Sequence, residues 1–67
     1  MDVKTIGKIV RKKRKELGLT QVYLAALSNT GVRFISELEN GKPTLELGKV
    51  LHVLKVLNIS LEVIYND

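Results

Sequence analysis

The sequence predicts an all-α chain: a compact four-helix domain, followed by a short C-terminal β-strand that pairs across a homodimer. Three observations predict it. Apolar residues recur at helical spacing in four segments up to Leu57. Glycine or asparagine, the residues that leave a helix most readily, close each segment at Gly18, Asn29, Gly41 and Asn58. The tail from Ile59 to Tyr65 changes to an alternating pattern.

Helix one is expected from Val3 to Leu17, with Val3, Ile6, Val10 and Leu17 on one face, Ile9 beside them and a basic face opposite. Arg14 and Lys15 fall in its last turn, where the helix dipole favours cations. Thr20 is the N-cap of helix two, which runs to about Leu27 with Leu24, Ala25 and Leu27 or Ser28 inward. Small Ala25 and Ala26 permit close helix packing, and Asn29 ends the segment. Helix three, Gly31 to about Glu39, puts Phe34, Ile35 and Leu38 on the core side and Val32, Arg33, Ser36 and Glu37 on the other. Gly41 and Pro43 terminate it. Thr44 caps helix four, Leu45 to Leu57, whose stripe is Leu47, Val50, Leu51, Leu54 and Leu57.

In the tail, Ile59, Leu61, Val63 and Tyr65 alternate with Ser60, Glu62 and Ile64. A last helical turn or two would also fit seven residues, but β-branched and aromatic alternation favours a strand. An unpaired strand leaves its N–H and C=O groups without partners, and the chain has no second strand candidate. The partner is therefore expected from another copy across a two-fold axis. The domains expected are 1–58, the helical body, and 59–67, the dimerisation strand.

A chain of 67 residues is one domain. At this size only about 60% of the unfolded surface is buried, so a lone monomer is marginal. No cysteine is present and His52 is the sole histidine, which excludes disulfides, thiolate zinc sites and a metal at ligand spacing. Association with a second chain is the remaining route to stability. No apolar run reaches the roughly 18 residues of a membrane span, and the N-terminus lacks a signal-peptide core. The expected location is the cytoplasm, on the nucleoid.

The formal net charge is +4, and seven of the eleven cations are Lys4, Lys8, Arg11, Lys12, Lys13, Arg14 and Lys15. Such a cluster points to a polyanion partner, with a solvated helix face as the competing reading. Lys12, Lys13 and Lys15 would add salt-sensitive phosphate attraction. No nucleophile–base–acid set and no glycine-rich phosphate loop occur, so the chain is not expected to be an enzyme, and no cofactor is implied.

A compact helix ending at Ser28, a tight turn and a second helix from Gly31 make a helix-turn-helix pattern, in which the second helix enters the major groove of double-stranded DNA. Gly31, without a Cβ, admits close approach and can turn its N–H to a phosphate. Arg33 can bond guanine O6 and N7, and Val32 can touch a thymine methyl. Glu37 can accept from a cytosine amino group, or hold Arg33 as its i, i+4 partner. Taken alone, Gly31 reads as a cap glycine and Arg33 as a solvated cation; the combination carries the inference.

The stretches Leu19-Thr20-Gln21, Arg33-Phe34-Ile35-Ser36 and Leu38 through Thr44 (LENGKPT) resemble the phage-repressor and Cro-like helix-turn-helix (XRE) superfamily. Within it the chain looks most like HipB-type antitoxins, which repress their own operon and neutralise HipA-type kinase toxins. The resemblance implies that Gln21 grips phosphate and that Val32, Arg33 and Glu37 read bases from a palindromic operator. It places Ser36 near the DNA backbone and makes Asn40, Gly41 and Lys42 a phosphate-holding loop. It pairs Arg14 with Glu39 as a structural ion pair. Many superfamily members carry Gly-Val-Ser where this chain has Asn29, Thr30 and Gly31, so the capping hydroxyl is missing. Many phage repressors continue into a fifth helix, whereas a pairing tail strand (Ile59, Leu61, Val63, Tyr65) is the HipB-like expectation. With the sequence ending at Asp67, toxin contact is expected from the folded body. The rival readings are a phage-type or metabolic repressor without a toxin partner, and a toxin-binding interaction module with weak DNA binding.

Overall fold

A computed structural model describes residues 1–66. Four α-helices follow in order: α1 Val3–Glu16, α2 Gln21–Leu27, α3 Val32–Glu39 and α4 Leu47–Val56. The first two are capped by side chains: Asp2 Oδ1 accepts the Thr5 N–H at 2.7 Å, and Thr20 Oγ1 accepts the Tyr23 N–H at 3.0 Å. All four end the same way. Gly18, Asn29, Gly41 and Asn58, each one residue past a helix cap, have φ of 72°, 54°, 78° and 59°. The next N–H in each case returns to a carbonyl of the last turn: Leu19 to Arg14, Thr30 to Ala25, Lys42 to Glu37 and Ile59 to Leu54, at 2.8–3.0 Å. These are Schellman closures, which satisfy carbonyls the helix would otherwise leave open. The chain can thus change direction after each helix with short links.

The core is Val10 from α1, Leu24 and Ala25 from α2, Ile35 and Leu38 from α3, and Val50, Val53 and Leu54 from α4, with Leu57 behind it. Phe34, Ile6, Leu19, Leu45, Val56 and Ile59 pack around it half-buried. α3 lies against both α1 and α2. Gly7 sets how close α1 comes: a Cβ there would meet the Leu38 carbonyl and lie 2.7 Å from that of Glu39.

Several expectations change. Helix four starts at Leu47 with Glu46 as its cap residue, not at Leu45 with Thr44. Leu45 instead packs on the core from the preceding link. The stripe of α4 is Val50, Val53, Leu54 and Leu57, while Leu47 and Leu51 are 67% and 44% exposed. Leu47 borders an apolar groove with Val3, Ile6, Pro43 and Leu45, because the first turn of α4 overhangs the rim of the core. On α1 only Val10 of the predicted apolar residues is fully buried; Val3, Ile9 and Leu17 are exposed. Of Leu27 and Ser28, it is Ser28 that turns inward.

The predicted strand is also corrected. Residues 59–66 form neither strand nor helix. A strand exists by pairing, and the described residues supply no second one. Ile59 belongs to the helical body, half-buried and closing α4, but Leu61, Val63, Ile64 and Tyr65 are all exposed. Pairing across a homodimer through Ile59, Leu61, Val63 and Tyr65 has no support within the single chain. Asp67, the end of the predicted tail, lies outside the described residues.

Candidate nucleic-acid interface

α3 is held from below by Ile35 and Leu38 and presents Val32, Arg33, Ser36, Glu37 and then Asn40 on the side away from the core. Its entry is fixed by the turn from Ser28 to Gly31. The buried Ser28 hydroxyl donates to the Leu24 carbonyl at 2.7 Å and stands 3.0 Å from the Thr30 hydroxyl. With the Thr30 N–H on Ala25, this holds the left-handed Asn29 in place. The two helices therefore keep one mutual orientation without help from a ligand.

Gly31 is the N-cap residue of α3, at φ −100° and ψ 158°, extended backbone open to any residue. Nothing of the protein lies within 4 Å of where its Cβ would be. The fold therefore does not require a glycine here. No side chain caps the helix either, so its leading N–H groups remain open to an acceptor from outside.

Arg33 stands next, with 87% of its side chain exposed. Its Nε is 3.5 Å from Glu37 Oε2, and the same oxygen accepts from Lys42 Nζ at 2.9 Å. The Lys42 hydrogen bond, with the charges of Lys42 and Arg33, holds the Glu37 carboxyl below its ordinary pKa. Of the two roles open to Glu37, holding Arg33 is the one with a partner inside the chain. The forked end of Arg33 stays free.

Behind this face, Arg14 and Glu39 meet in the interior. Arg14 Nε donates to Glu39 Oε2 at 2.6 Å and Nη2 to Oε1 at 3.0 Å, while Nη1 donates to the Leu19 carbonyl at 2.8 Å. The Gln21 amide nitrogen donates to Glu39 Oε1 at 3.1 Å. Burial pushes the Glu39 carboxyl up, but hydrogen bonds from Arg14 and Gln21, with the charges of Arg14 and Arg11, outweigh it and leave the pKa lowered. The bond to Glu39 raises Arg14 despite its own burial. Among the described residues no buried side-chain polar atom lacks a partner. Gln21, given a phosphate role by resemblance, is thus tied to this pair through its amide.

The loop after α3 divides by function. Gly41 is buried at φ 78°, and a Cβ on it would be 2.8 Å from Lys4 Cγ and 2.9 Å from Lys4 Cα. Its constraint is internal, against α1. Asn40 is exposed and shares a shallow depression of about 260 Å³ with Lys4, Lys8, Arg11 and Glu39. His52 is exposed and borders a different depression with Thr30 and Lys49.

Sequence reasoning passed over Gly7 and the partnership of Gln21 with Glu39. A glycine inside an otherwise good helix was the available signal for the first. The second joins residues 18 apart and had no local signal. Among the described residues no His, Cys, Asp or Glu cluster could hold a metal, and no helix is long and apolar enough to cross a membrane.

Two short helices joined by a tight, internally bonded turn, the second with a polar outward face, define a helix-turn-helix domain. The chain belongs to the helix-turn-helix family, whose model matches residues 10–64. It is similar to the uncharacterized HTH-type transcriptional regulator y4mF of Sinorhizobium fredii (strain NBRC 101917 / NGR234), at 49% identity over 59 residues, covering 88% of this chain and 78% of that protein. Its fold is similar to the crystal structure of the restriction-modification controller protein C.AhdI from Aeromonas hydrophila. That likeness has a TM-score of 0.76 and 29% identity, over 88% of this chain and 86% of the other.

Proposed function

We propose that this protein is a sequence-specific DNA-binding transcriptional repressor acting as a homodimer on a palindromic operator in the cytoplasm. The observation that carries the reading is α3 itself: an uncapped helix start with a glycine the fold does not need, followed by an exposed arginine steadied from behind. α3 enters the major groove. Arg33 bonds a guanine edge, Val32 meets a thymine methyl, and Glu37 sets the angle of Arg33. Gln21, Gly31, Ser36, Asn40 and Lys42 face the phosphates on either side, which fixes register without reading sequence. Two subunits repeat the grip at half-sites roughly 34–36 Å apart. Family membership and the likeness to a regulator and a controller protein support the reading.

The test is selection of bound duplexes from a random pool at two salt concentrations. A two-fold-symmetric site with a guanine at one fixed position in each half is expected. No enrichment at the lower salt rejects the reading.

The narrower proposal is that the repressor is the antitoxin of a HipA-type kinase. It is supported by the motif resemblance and by the exposed apolar tail, Leu61 to Tyr65, which suits pairing with another chain. Stable co-purification with a kinase encoded beside it, and loss of kinase activity in the complex, are expected. The controller-protein likeness favours the alternative, a repressor without a toxin; an unaltered kinase in that assay decides for it.

A further inference from the structure

We propose that the depression formed by Lys4, Lys8, Arg11 and Asn40 is a second phosphate seat, gripping the DNA backbone strand at the C-terminal end of α3. This deepens the DNA-binding reading and rests on it.

The placement follows from the fold. Lys4, Lys8 and Arg11 are four and three residues apart on α1 and so share one face of that helix. Two glycines bring this face to the end of α3. Gly7 lets the α1 backbone sit against the Leu38 and Glu39 carbonyls, and Gly41 sits against the Lys4 backbone. A side chain at either position would push the cations away from Asn40. All three cations are exposed, and the depression they line is large enough for a phosphate group.

The distance fits the duplex. Asn40 is seven residues beyond Arg33, about 10.5 Å along the helix at 1.5 Å per residue. The major groove is about 12 Å wide. With Arg33 at the base edges, Asn40 reaches the groove wall, where the backbone runs. The charges also fit. The C-terminal end of a helix repels an anion, and Glu39 lines the depression, but its carboxylate is taken up by Arg14 and Gln21. Three cations then act on the open side. Lys12, Lys13 and Lys15, the residues to which sequence reasoning gave phosphate attraction, do not line it.

The test compares the unmodified chain with a Lys4→Gln/Lys8→Gln/Arg11→Gln triple variant and a Lys55→Gln control, Lys55 being exposed on α4 and outside the depression. Affinity for the selected duplex and for an unrelated one is measured from 50 to 200 mM salt. The triple variant is expected to bind both duplexes more weakly by the same factor and to keep the base preference. Its salt slope should become shallower by about 0.9 for each phosphate that a subunit no longer neutralises. The control should keep a slope close to that of the unmodified chain. Thermal unfolding checks each variant; if the triple variant does not fold, single Lys8→Gln carries the test with one such step. A slope unchanged, or changed no more than in the control, overturns the proposal. Failure of the unmodified chain to bind any duplex overturns the DNA-binding reading itself, and shows before any variant is made.

Discussion

Glu39 receives Arg14 on both carboxylate oxygens, the Nε hydrogen bond being 2.6 Å, and receives Gln21 on one of them. A single carboxylate at the end of α3 thereby ties together all three helices around the reading face. The side chains of the pair are 9% and 3% exposed, so neither charge has water to fall back on. Glu39→Ala should lower unfolding stability by about 3–5 kcal/mol, because it strands a buried guanidinium. Arg14→Met with Glu39→Leu should come out near neutral. Urea unfolding measures both; a single-variant loss under about 1 kcal/mol would show that the pair is not an anchor.

The same carboxylate makes stability depend on pH. Its folded pKa lies below the ordinary value, so the unfolded chain binds the proton more readily. The stabilisation is complete above the unfolded value, about 4.3, and is lost as the pH falls through the folded value. Denaturation midpoints taken from pH 7 to pH 2 should drop below about 4.3, and less steeply in Glu39→Gln. Equal steepness in the two proteins would assign the acid sensitivity elsewhere.

Gly7 and Gly48 should respond with opposite signs to the same change. Alanine favours a helix over glycine by up to about 1 kcal/mol. At Gly7 the added methyl runs into the carbonyls of Leu38 and Glu39, backbone that cannot rotate away. Overpacking of about 1–3 kcal/mol outweighs the propensity gain. At Gly48 in the first turn of α4 nothing lies within 4 Å, so Gly48→Ala should stabilise by a few tenths to about 1 kcal/mol. Thermal melts decide, and a stabilised Gly7→Ala would mean α1 is free to shift.

Arg33→Ala should leave folding untouched, since the side chain stands in solvent. Duplex binding should weaken by about 1–3 kcal/mol, roughly 5- to 150-fold, with one base position relaxed in each half-site. Titration against a panel of single-base variants reads both effects. Unchanged preference at every position would remove Arg33 from the readout.

Truncation after Ser60 should preserve the helical domain and abolish dimers. Ile59 is kept because its N–H closes α4 and its side chain packs on the core. The residues removed include Leu61, Val63, Ile64 and Tyr65, the last 89% exposed and without a place in the monomer. Analytical sizing gives the answer; a dimeric truncated protein would move the interface to the helical body.

Much of this was legible because it is local. Thr20 caps, Gly18 and Asn58 stop, and the inward set of α3 follows from the angle per residue. The faces of α4 were harder. Leu47 and Leu51 are as apolar as Val50 and Val53, and periodicity alone cannot say which of two overlapping stripes the rest of the chain will cover. Gly7 and Gly41 belong to the same class: their reason is another segment's backbone, invisible until the two are brought together.

The sequence by itself determined the four helices, their left-handed exits and the polar outward side of the third, since these depend on neighbours three or four residues away. The tertiary structure alone decided that Glu39 serves three helices. It also decided that the cations of α1 lie beside Asn40, and that Leu61, Val63, Ile64 and Tyr65 find no place in the helical body. Those outcomes depend on which surfaces meet, and such meetings are selected by packing across the whole chain and not by any one segment.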